Sequence, residues 1–218
     1  MKAFDLLIDK IHEGKNPYTG FPAAEWQGTW YGDPGAQREI FQQCIEHTNP
    51  HLIVEVGTFV GESAIHMANI VKKQMRPTAI LCVDTWYAGF DHYKGAREKI
   101  RNHFGRADFF YKLMGNVIQH GCQNIIVPFA MDSINAARVI KWLGLVPDLI
   151  YVDGSHEKGD TLRDYVAYWD LLPSGGGMLV DDVSDWFPGV VEDYTYFTAQ
   201  NNLKPALTQG EKHLLIKP

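Results

Sequence analysis

The feature that most constrains this chain is an alternation, from His51 onward, of short apolar runs with stretches of helical periodicity. The runs cover residues 51–56, 79–83, 124–127, 148–152 and 177–180. Because they are continuous instead of apolar at every second position, they are typical of parallel strands that helices cover on both faces. Strands that alternate with helices imply right-handed crossovers in one open sheet. The sequence therefore predicts a doubly wound, mostly parallel α/β domain.

Both ends of the chain add to this pattern. A predicted hairpin that turns at Gln209-Gly210 adds two antiparallel strands, so that the expected sheet has seven strands. Residues 1–48 form a predicted helical and aromatic extension, and residues 49–218 form the domain proper. The aromatic loop at residues 18–31 either clamps the extension onto the domain, which is the commoner role of such aromatics, or forms a lid or a dimer contact.

Composition and charge exclude several classes of protein. The 218 residues carry a formal net charge of −6 without a dense run of Lys or Arg, which argues against a nucleic-acid-binding surface. Cys44, Cys82 and Cys122 are far apart, so they predict neither a disulfide framework nor a thiolate metal cluster. The start of the chain lacks a signal-peptide core, and no segment is long enough to span a membrane. We expect a cytoplasmic protein with no membrane or nucleic-acid partner.

A row of polar residues follows the predicted strands. In chain order it contains Gly57-Thr58, Asp84, Asp132-Ser133, Asp153 and Asp181-Asp182. In open α/β sheets, ligands bind beyond the carboxyl ends of the strands, where these residues would lie side by side. A single aspartate at such a position is commonly a helix N-cap, but acids near four of five strand ends indicate a binding site.

The loop after the first strand has the spacing ExGxxxG. Gly57 permits a sharp turn and the close approach of a ligand, and Gly61 opens the next helix. Because Phe59 replaces the second glycine of the dinucleotide fingerprint, a pyrophosphate is disfavoured, and with it a nicotinamide oxidoreductase. Asp84 at the end of the next strand is placed to bind two ribose hydroxyls. A nucleoside without a pyrophosphate therefore fits this loop best.

A second group of polar residues contains Asp153, His156, Asp181 and Asp182. The fourth and fifth strands are expected to be neighbours about 5 Å apart, so that their carboxylates could bind one cation. Carboxylate oxygens without cysteine suit Mg²⁺, Mn²⁺ or Ca²⁺. His156 could then deprotonate a substrate hydroxyl near neutral pH. The alternative is that the aspartates cap turns and His156 is an ordinary loop residue, but the clustering favours the metal site.

Four segments of the sequence resemble a known family. They are Glu55-Val-Gly-Thr-Phe-Val-Gly61, Val83-Asp-Thr-Trp86, Asp153-Gly-Ser-His156 and Ser174-Gly-Gly-Gly-Met-Leu-Val-Asp-Asp182. They look like the class I S-adenosylmethionine-dependent methyltransferases, and within these the branch of macrocin O-methyltransferase and the cephalosporin-hydroxylase-like proteins. The resemblance covers roughly residues 50–185 and implies a Rossmann-like fold. The DGxH segment and the paired acids are more specific than the glycine motif and point to metal-dependent members.

The resemblance implies roles for individual residues. Ten would bind the cofactor S-adenosylmethionine: Glu55, Gly57, Thr58, Gly61, Ser63, Asp84, Trp86, Asp132, Ser133 and Asp153. Three would bind a divalent cation, expected to be Mg²⁺: Asp153, Asp181 and Asp182. His156 and Asp153 would be catalytic, with His156 as the general base. The branch often has Glu at the position of Asp181, whose side chain is shorter.

The resulting expectation is a metal-assisted O-methyltransferase that acts on a small polar acceptor, such as a sugar hydroxyl. Two alternatives stay open: a metal-independent methyltransferase that acts on nitrogen or an acidic hydroxyl, and a non-catalytic nucleoside-binding module. Activity that is insensitive to a chelator would favour the first alternative, and cofactor binding without methyl transfer would favour the second. An exposed aromatic extension would also allow a homo-oligomer.

Overall fold

The structure is a computed structural model that describes residues 2–26, 39–95, 102–103 and 106–218. The strands are β1 (Leu52–Val56), β2 (Ala79–Asp84), β3 (Asn102–His103), β4 (Arg106–Ala107), β5 (Ile126–Ala130), β6 (Leu149–Val152), β7 (Gly177–Val180), β8 (Leu207–Gln209) and β9 (Lys212–Ile216). The helices are α1 (Ala3–His12), α2 (Glu39–Thr48), α3 (Glu62–Lys73), α4 (Phe90–Gly95), α5 (Phe109–Gln119), α6 (Ser133–Trp142), α7 (Asp160–Trp169) and α8 (Pro188–Gln200). A short 3₁₀ turn covers Ala23–Trp26.

Seven of these strands form one sheet in the order β5-β2-β1-β6-β7-β9-β8. Adjacent strands of the sheet are parallel except at β9, which runs antiparallel to both β7 and β8. The predicted doubly wound sheet with a C-terminal antiparallel pair is thereby confirmed. From β1 the chain moves outward to β2 and β5, and it then returns to β6 on the other side of β1. This reversal opens a crevice at the carboxyl ends of β1 and β6, where α/β sheets bind ligands.

Helices cover both faces of the sheet, which explains the continuous apolar runs. Ile53 and Val54 are adjacent in β1 and both are fully buried, but they belong to different core clusters. One cluster packs the sheet against α2, α3 and α5, and the other packs it against α1, α6, α7 and α8. Since successive side chains of a strand point to opposite faces, a strand between two helical layers has no polar face.

The third predicted strand lies later in the chain than its apolar run. Residues 124–127 were expected, whereas β5 begins at Ile126 and extends through Pro128 to Ala130. Proline removes a ladder donor and therefore suggests the end of a strand, but it is tolerated in an edge strand such as β5. Because β5 is an edge strand, which only the topology of the whole sheet shows, it continues beyond Pro128.

The described part of the N-terminal extension contacts the edge of the sheet. The imidazole of His12 lies 2.8 Å from the carbonyl oxygen of Pro128. The hydroxyl of Tyr18 donates to the carbonyl of Ile126 at 3.1 Å, and the ring of Trp26 stacks on Tyr111 at 4.7 Å. Residues 27–38 lie outside the described residues. The lid and dimer roles of the aromatic loop therefore stay predictions. The division of the chain into an extension and a domain at residue 48 also stays a prediction.

Candidate active site

A cavity of about 410 Å³ opens at the carboxyl ends of β1, β2, β5 and β6. Seven of the predicted site residues line it: Gly57, Asp84, Trp86, Asp132, Ser133, Asp153 and His156. Six others do not: Glu55, Thr58, Gly61, Ser63, Asp181 and Asp182. The cavity has the size of sites that hold small molecules and cofactors.

Gly57 allows the loop after β1 to lie directly against the loop after β6. Its φ is +86°, and a Cβ at this position would be 1.9 Å from the carbonyl oxygen of Asp153. Its amide donates to the carbonyl of Val83 at 2.9 Å. Only glycine fits this contact, because any side chain would overlap the Asp153 backbone. The two predicted halves of the site therefore meet at Gly57. Gly61 also has a positive φ, of +88°, at the start of α3.

The carboxyl group of Glu55 lies beneath this loop and not in the cavity. Glu55 is fully buried, accepts a hydrogen bond from the Ser63 hydroxyl and lies 3.5 Å from the sulfur of Cys82. Burial raises the pKa of Glu55 to about 7, against the lowering effect of the Ser63 hydrogen bond. Thr58 is buried as well. Glu55, Thr58 and Ser63, which were predicted to bind the cofactor, therefore lie on the side of the loop that faces the core.

Asp84 is held by two backbone amides at the end of β2. Its Oδ2 accepts from the amide of Phe59 at 2.8 Å, and its Oδ1 accepts from the amide of Trp86 at 2.7 Å. The Trp86 indole donates to the carbonyl of Phe59 at 2.7 Å, so both loops are joined beside the carboxylate. A carboxylate oxygen can accept more than one hydrogen bond. Asp84 is therefore a fixed acceptor on the cavity wall.

Asp132 and Ser133 begin α6 at the far end of the cavity. Asp132 is an exposed N-cap that accepts from the amide of Asn135 at 3.0 Å, and this hydrogen bond lowers its pKa. The Ser133 hydroxyl donates to Asp164 at 2.5 Å. Asp164 also lines the cavity, and burial raises its pKa to about 6. Asp164 could not be predicted from the sequence, because an aspartate within a helix usually faces solvent.

Beyond β6 and β7, the structure brings Asp153, His156 and Asp182 together. Their potential ligand atoms all lie within 4.8 Å of one another. Nε2 of His156 is 2.8 Å from Oδ2 of Asp182, and the ring of Phe187 packs 4.2 Å from the imidazole. The strands pair Val152 with Val180, so the segments that follow them are adjacent. Burial first, and then the charges of Asp181 and Asp182, raises the pKa of Asp153 well above its usual value.

Asp181 lies apart from this group and contacts other side chains. It is buried, and it accepts hydrogen bonds from the ammonium of Lys212 and the hydroxyl of Tyr151. The Tyr151 hydroxyl is also 3.0 Å from Oδ2 of Asp153. The structure thus groups two of the three predicted metal ligands with His156 and places the third on Lys212. A lysine at an inward position of an apolar strand was the available signal for Lys212.

The donor set of Asp153, His156 and Asp182 fits a divalent cation. Two carboxylates and one imidazole suit Mn²⁺, Fe²⁺ or Zn²⁺, and the carboxylates alone suit Mg²⁺. The separation of 2.8 Å between His156 and Asp182 also fits a hydrogen-bonded acid–base pair. The cavity fits a nucleoside, because a fixed carboxylate and an approachable glycine backbone lie on its wall.

Comparisons with known proteins agree with this geometry. The model of a family described as a methyltransferase domain matches residues 54–183. A search of the curated proteins finds no match. Among the described residues, none of the helices is long and apolar enough to cross a membrane.

Three of the similar solved structures are bacterial O-methyltransferases. A candidate caffeoyl-CoA O-methyltransferase of Staphylococcus aureus is 15% identical with a TM-score of 0.62, and 99% of each chain is covered. The O-methyltransferase TomG of Streptomyces achromogenes, in complex with SAM, is 14% identical with a TM-score of 0.61, covering 100% of this chain and 91% of that one. An O-methyltransferase of Bacillus cereus, in complex with SAH, is 16% identical with a TM-score of 0.57, covering 99% and 98%. At these identities the likeness establishes the fold.

Proposed function

Because this chain belongs to the methyltransferase-domain family and is an enzyme of that family, we propose that it transfers a methyl group from S-adenosylmethionine to a hydroxyl of a small polar acceptor, such as a sugar. The observation that carries this proposal is the pairing of a nucleoside-sized cavity around Asp84 with the adjacent His156–Asp182 pair. The fold is shared with O-methyltransferases that bind SAM and SAH.

The cavity residues would hold the nucleoside as follows. Asp84, fixed by two amides, accepts hydrogen bonds from the ribose hydroxyls. The Gly57 backbone lets the ligand approach β1 without a side chain in the way. Asp132 and Ser133 lie near the adenine, so that with Gly57 and Asp84 they form the nucleoside end of the cavity. Asp153, His156 and Asp182 form the acceptor end, and Asp153 is where the two ends meet.

The acceptor end supplies the proton chemistry. S-adenosylmethionine supplies an electrophilic methyl group when it is bound. His156 takes the proton of the acceptor hydroxyl as the oxygen attacks that methyl group, and Asp182 stabilises the imidazolium that forms. A divalent cation bound by Asp153 and Asp182 would lower the pKa of the acceptor hydroxyl. Phe187 limits the rotation of the imidazole by packing on its ring.

A metal-independent reaction is the second candidate, and one contact favours it. Asp182 lies 2.8 Å from the His156 imidazole and orients it, so that His156 can act as a general base without an ion. Methyl transfer that is unchanged by a chelator, measured with the same acceptor, would select this candidate. Transfer that falls with the chelator and returns with added manganese or magnesium would select the metal-assisted one.

The experiment that tests the shared part is a calorimetric titration with S-adenosylhomocysteine in magnesium buffer. We expect saturable one-to-one binding that Asp84→Asn weakens about 10- to 100-fold, because hydrogen bonds to a charged group contribute about 1.5–3 kcal/mol. Asp148→Asn is the matched control, since Asp148 also accepts from two amides, those of His51 and Leu52, but at the amino ends of β1 and β6, away from the cavity. Absence of binding by folded protein, or equal effects of both variants, would overturn the proposal.

A further inference from the structure

Lys212 places a buried positive charge beside the acceptor end of the site. It starts β9 directly after the hairpin turn, and only 8% of the residue is exposed. Its ammonium lies 5.9 Å from the ring centroids of both Phe41 and Tyr151. Because Lys212 and Leu214 share a face of β9, the side chain points into the same layer as the core beneath α2. A lysine is rarely buried to this extent unless it is paired.

The partner of Lys212 is Asp181, and the protein itself binds both oxygens of that carboxylate. Oδ2 accepts from Lys212 and from the Tyr151 hydroxyl. Oδ1 accepts from the amide of Asp182 at 2.8 Å. Asp181 is thus bound to its own chain, whereas the cluster that could bind an ion contains Asp153, His156 and Asp182.

We propose that Lys212 is a positioning residue that keeps Asp181 out of the metal site, so that a divalent cation binds through Asp153 and Asp182 and more weakly than it would at three carboxylates. The inference rests on the proposed function for the presence of a cation. A fixed positive charge next to the site opposes a divalent ion through Coulomb repulsion. Without the lysine, Asp181 would be a buried carboxylate without a counter-ion, which is costly and which a cation would satisfy as a third hard oxygen ligand.

Manganese binding tests the proposal without any turnover. Chelator-treated protein is titrated with Mn²⁺ alone, and the free ion is followed by electron paramagnetic resonance. We expect Lys212→Met to bind Mn²⁺ at least about tenfold more tightly than the wild type, because Asp181 becomes available. Lys212→Arg, which keeps the charge, should stay within about threefold of the wild type. The double variant Lys212→Met/Asp181→Asn removes the pair together and should also stay within about threefold.

Three results would overturn the proposal: no gain in Lys212→Met, a tenfold weaker affinity in the double variant, or no Mn²⁺ binding by any variant. The double variant leaves no buried unpaired charge, so a tenfold weaker affinity there would overturn the proposal even if Lys212→Met does not fold. Binding of S-adenosylhomocysteine is measured on the same samples. Failure of the proposed function would appear as absent nucleoside binding in the wild type, independently of the manganese result.

Discussion

The two ends of the cavity both contain aspartates that follow strands, but they treat the carboxylates in opposite ways. At the nucleoside end, Asp84 and Asp132 stand apart, and backbone amides bind each one. At the acceptor end, Asp153 and Asp182 lie together with His156, and the ammonium of Lys212 binds the neighbouring Asp181. An amide-bound carboxylate is fixed in place and stabilised as an anion. Grouped carboxylates repel one another and favour a proton or a cation.

This difference shows that the position of an acid in the sequence does not determine its chemistry. The hydrogen bond from Asn135 lowers the pKa of Asp132, whereas burial and neighbouring acids raise the pKa of Asp153. The first environment suits an acceptor of ligand hydroxyl or amino groups. The second suits proton transfer or cation binding, and His156 adds a base beside it. The predictions below test whether the two ends can be separated.

Gly57→Ala should have the largest effect, because it forces the two ends apart. The new methyl group would lie 1.9 Å from the Asp153 carbonyl at a φ of +86°. We expect a loss on the order of 4 kcal/mol or more in the free energy of unfolding, measured with urea. Gly144→Ala is the control, since Gly144 has a φ of +66° and nothing within 4 Å of its Cβ position. It should lose only about 1 kcal/mol. Equal losses would contradict the close contact at Gly57.

His156→Ala should separate the ends functionally. Loss of a general base lowers kcat by about 10²- to 10⁴-fold. Because the His156 imidazole contacts Asp182 and Phe187, whereas the amides of Phe59 and Trp86 hold Asp84, affinity for S-adenosylhomocysteine should change by less than about twofold. Rapid-mix kinetics and calorimetry on one preparation give both values. If nucleoside binding disappears together with activity, His156 is structural and the separation is wrong.

Glu55→Gln tests the buried carboxyl beneath the loop after β1, which the Ser63 hydroxyl holds in place. Burial raises the pKa of Glu55 from 4.5 to about 7, so the native state holds this proton more tightly than the unfolded chain. The resulting stability is complete below about pH 4.5 and is lost as the pH rises through 7. Glutamine carries no such proton. Relative to the wild type, the variant should therefore gain about 3 kcal/mol in unfolding free energy between pH 4 and pH 8.5.

The control for this measurement is Glu157→Gln, at an exposed position. Glu157→Gln makes the same exchange of a carboxyl for an amide outside the core, so its urea series is the reference for the substitution itself. A difference between Glu55→Gln and the wild type that does not change with pH would show that the carboxyl under the loop is solvated. The same urea denaturation series at five or six pH values measures both variants.

Much of the fold could be predicted because the apolar runs encode it directly. A strand buried on both faces, such as β1, needs no knowledge of its neighbours to be recognised. The end of β5 could not be placed, because tolerance of Pro128 depends on its being in an edge strand. Local patterns thus predict which elements exist better than they predict where each one ends.

The residues at the carboxyl ends of the strands were predicted, but their partners were not. Asp153 and Asp182 follow adjacent strands, so the sequence places them near each other. The contact of Asp181 with Lys212 and that of Asp164 with Ser133 each join side chains 31 positions apart in the chain. A lysine at an inward position of an apolar strand indicates a buried ammonium, but it does not indicate which acid binds that ammonium.

Asp132 should give the smallest effect, and it shows how much the nucleoside end depends on exposed charge. Asp132→Asn keeps an oxygen to cap α6, so the unfolding free energy should stay within about 0.5 kcal/mol, whereas Asp132→Ala should lose about 1 kcal/mol. Both variants should weaken the binding of S-adenosylhomocysteine less than about tenfold, because solvent screens an exposed carboxylate. A loss above about 100-fold in Asp132→Asn would exceed the effect expected for Asp84. The anchor of the nucleoside would then be the exposed acid at α6, and the contrast between the two ends would rest on position instead of on how each carboxylate is bound.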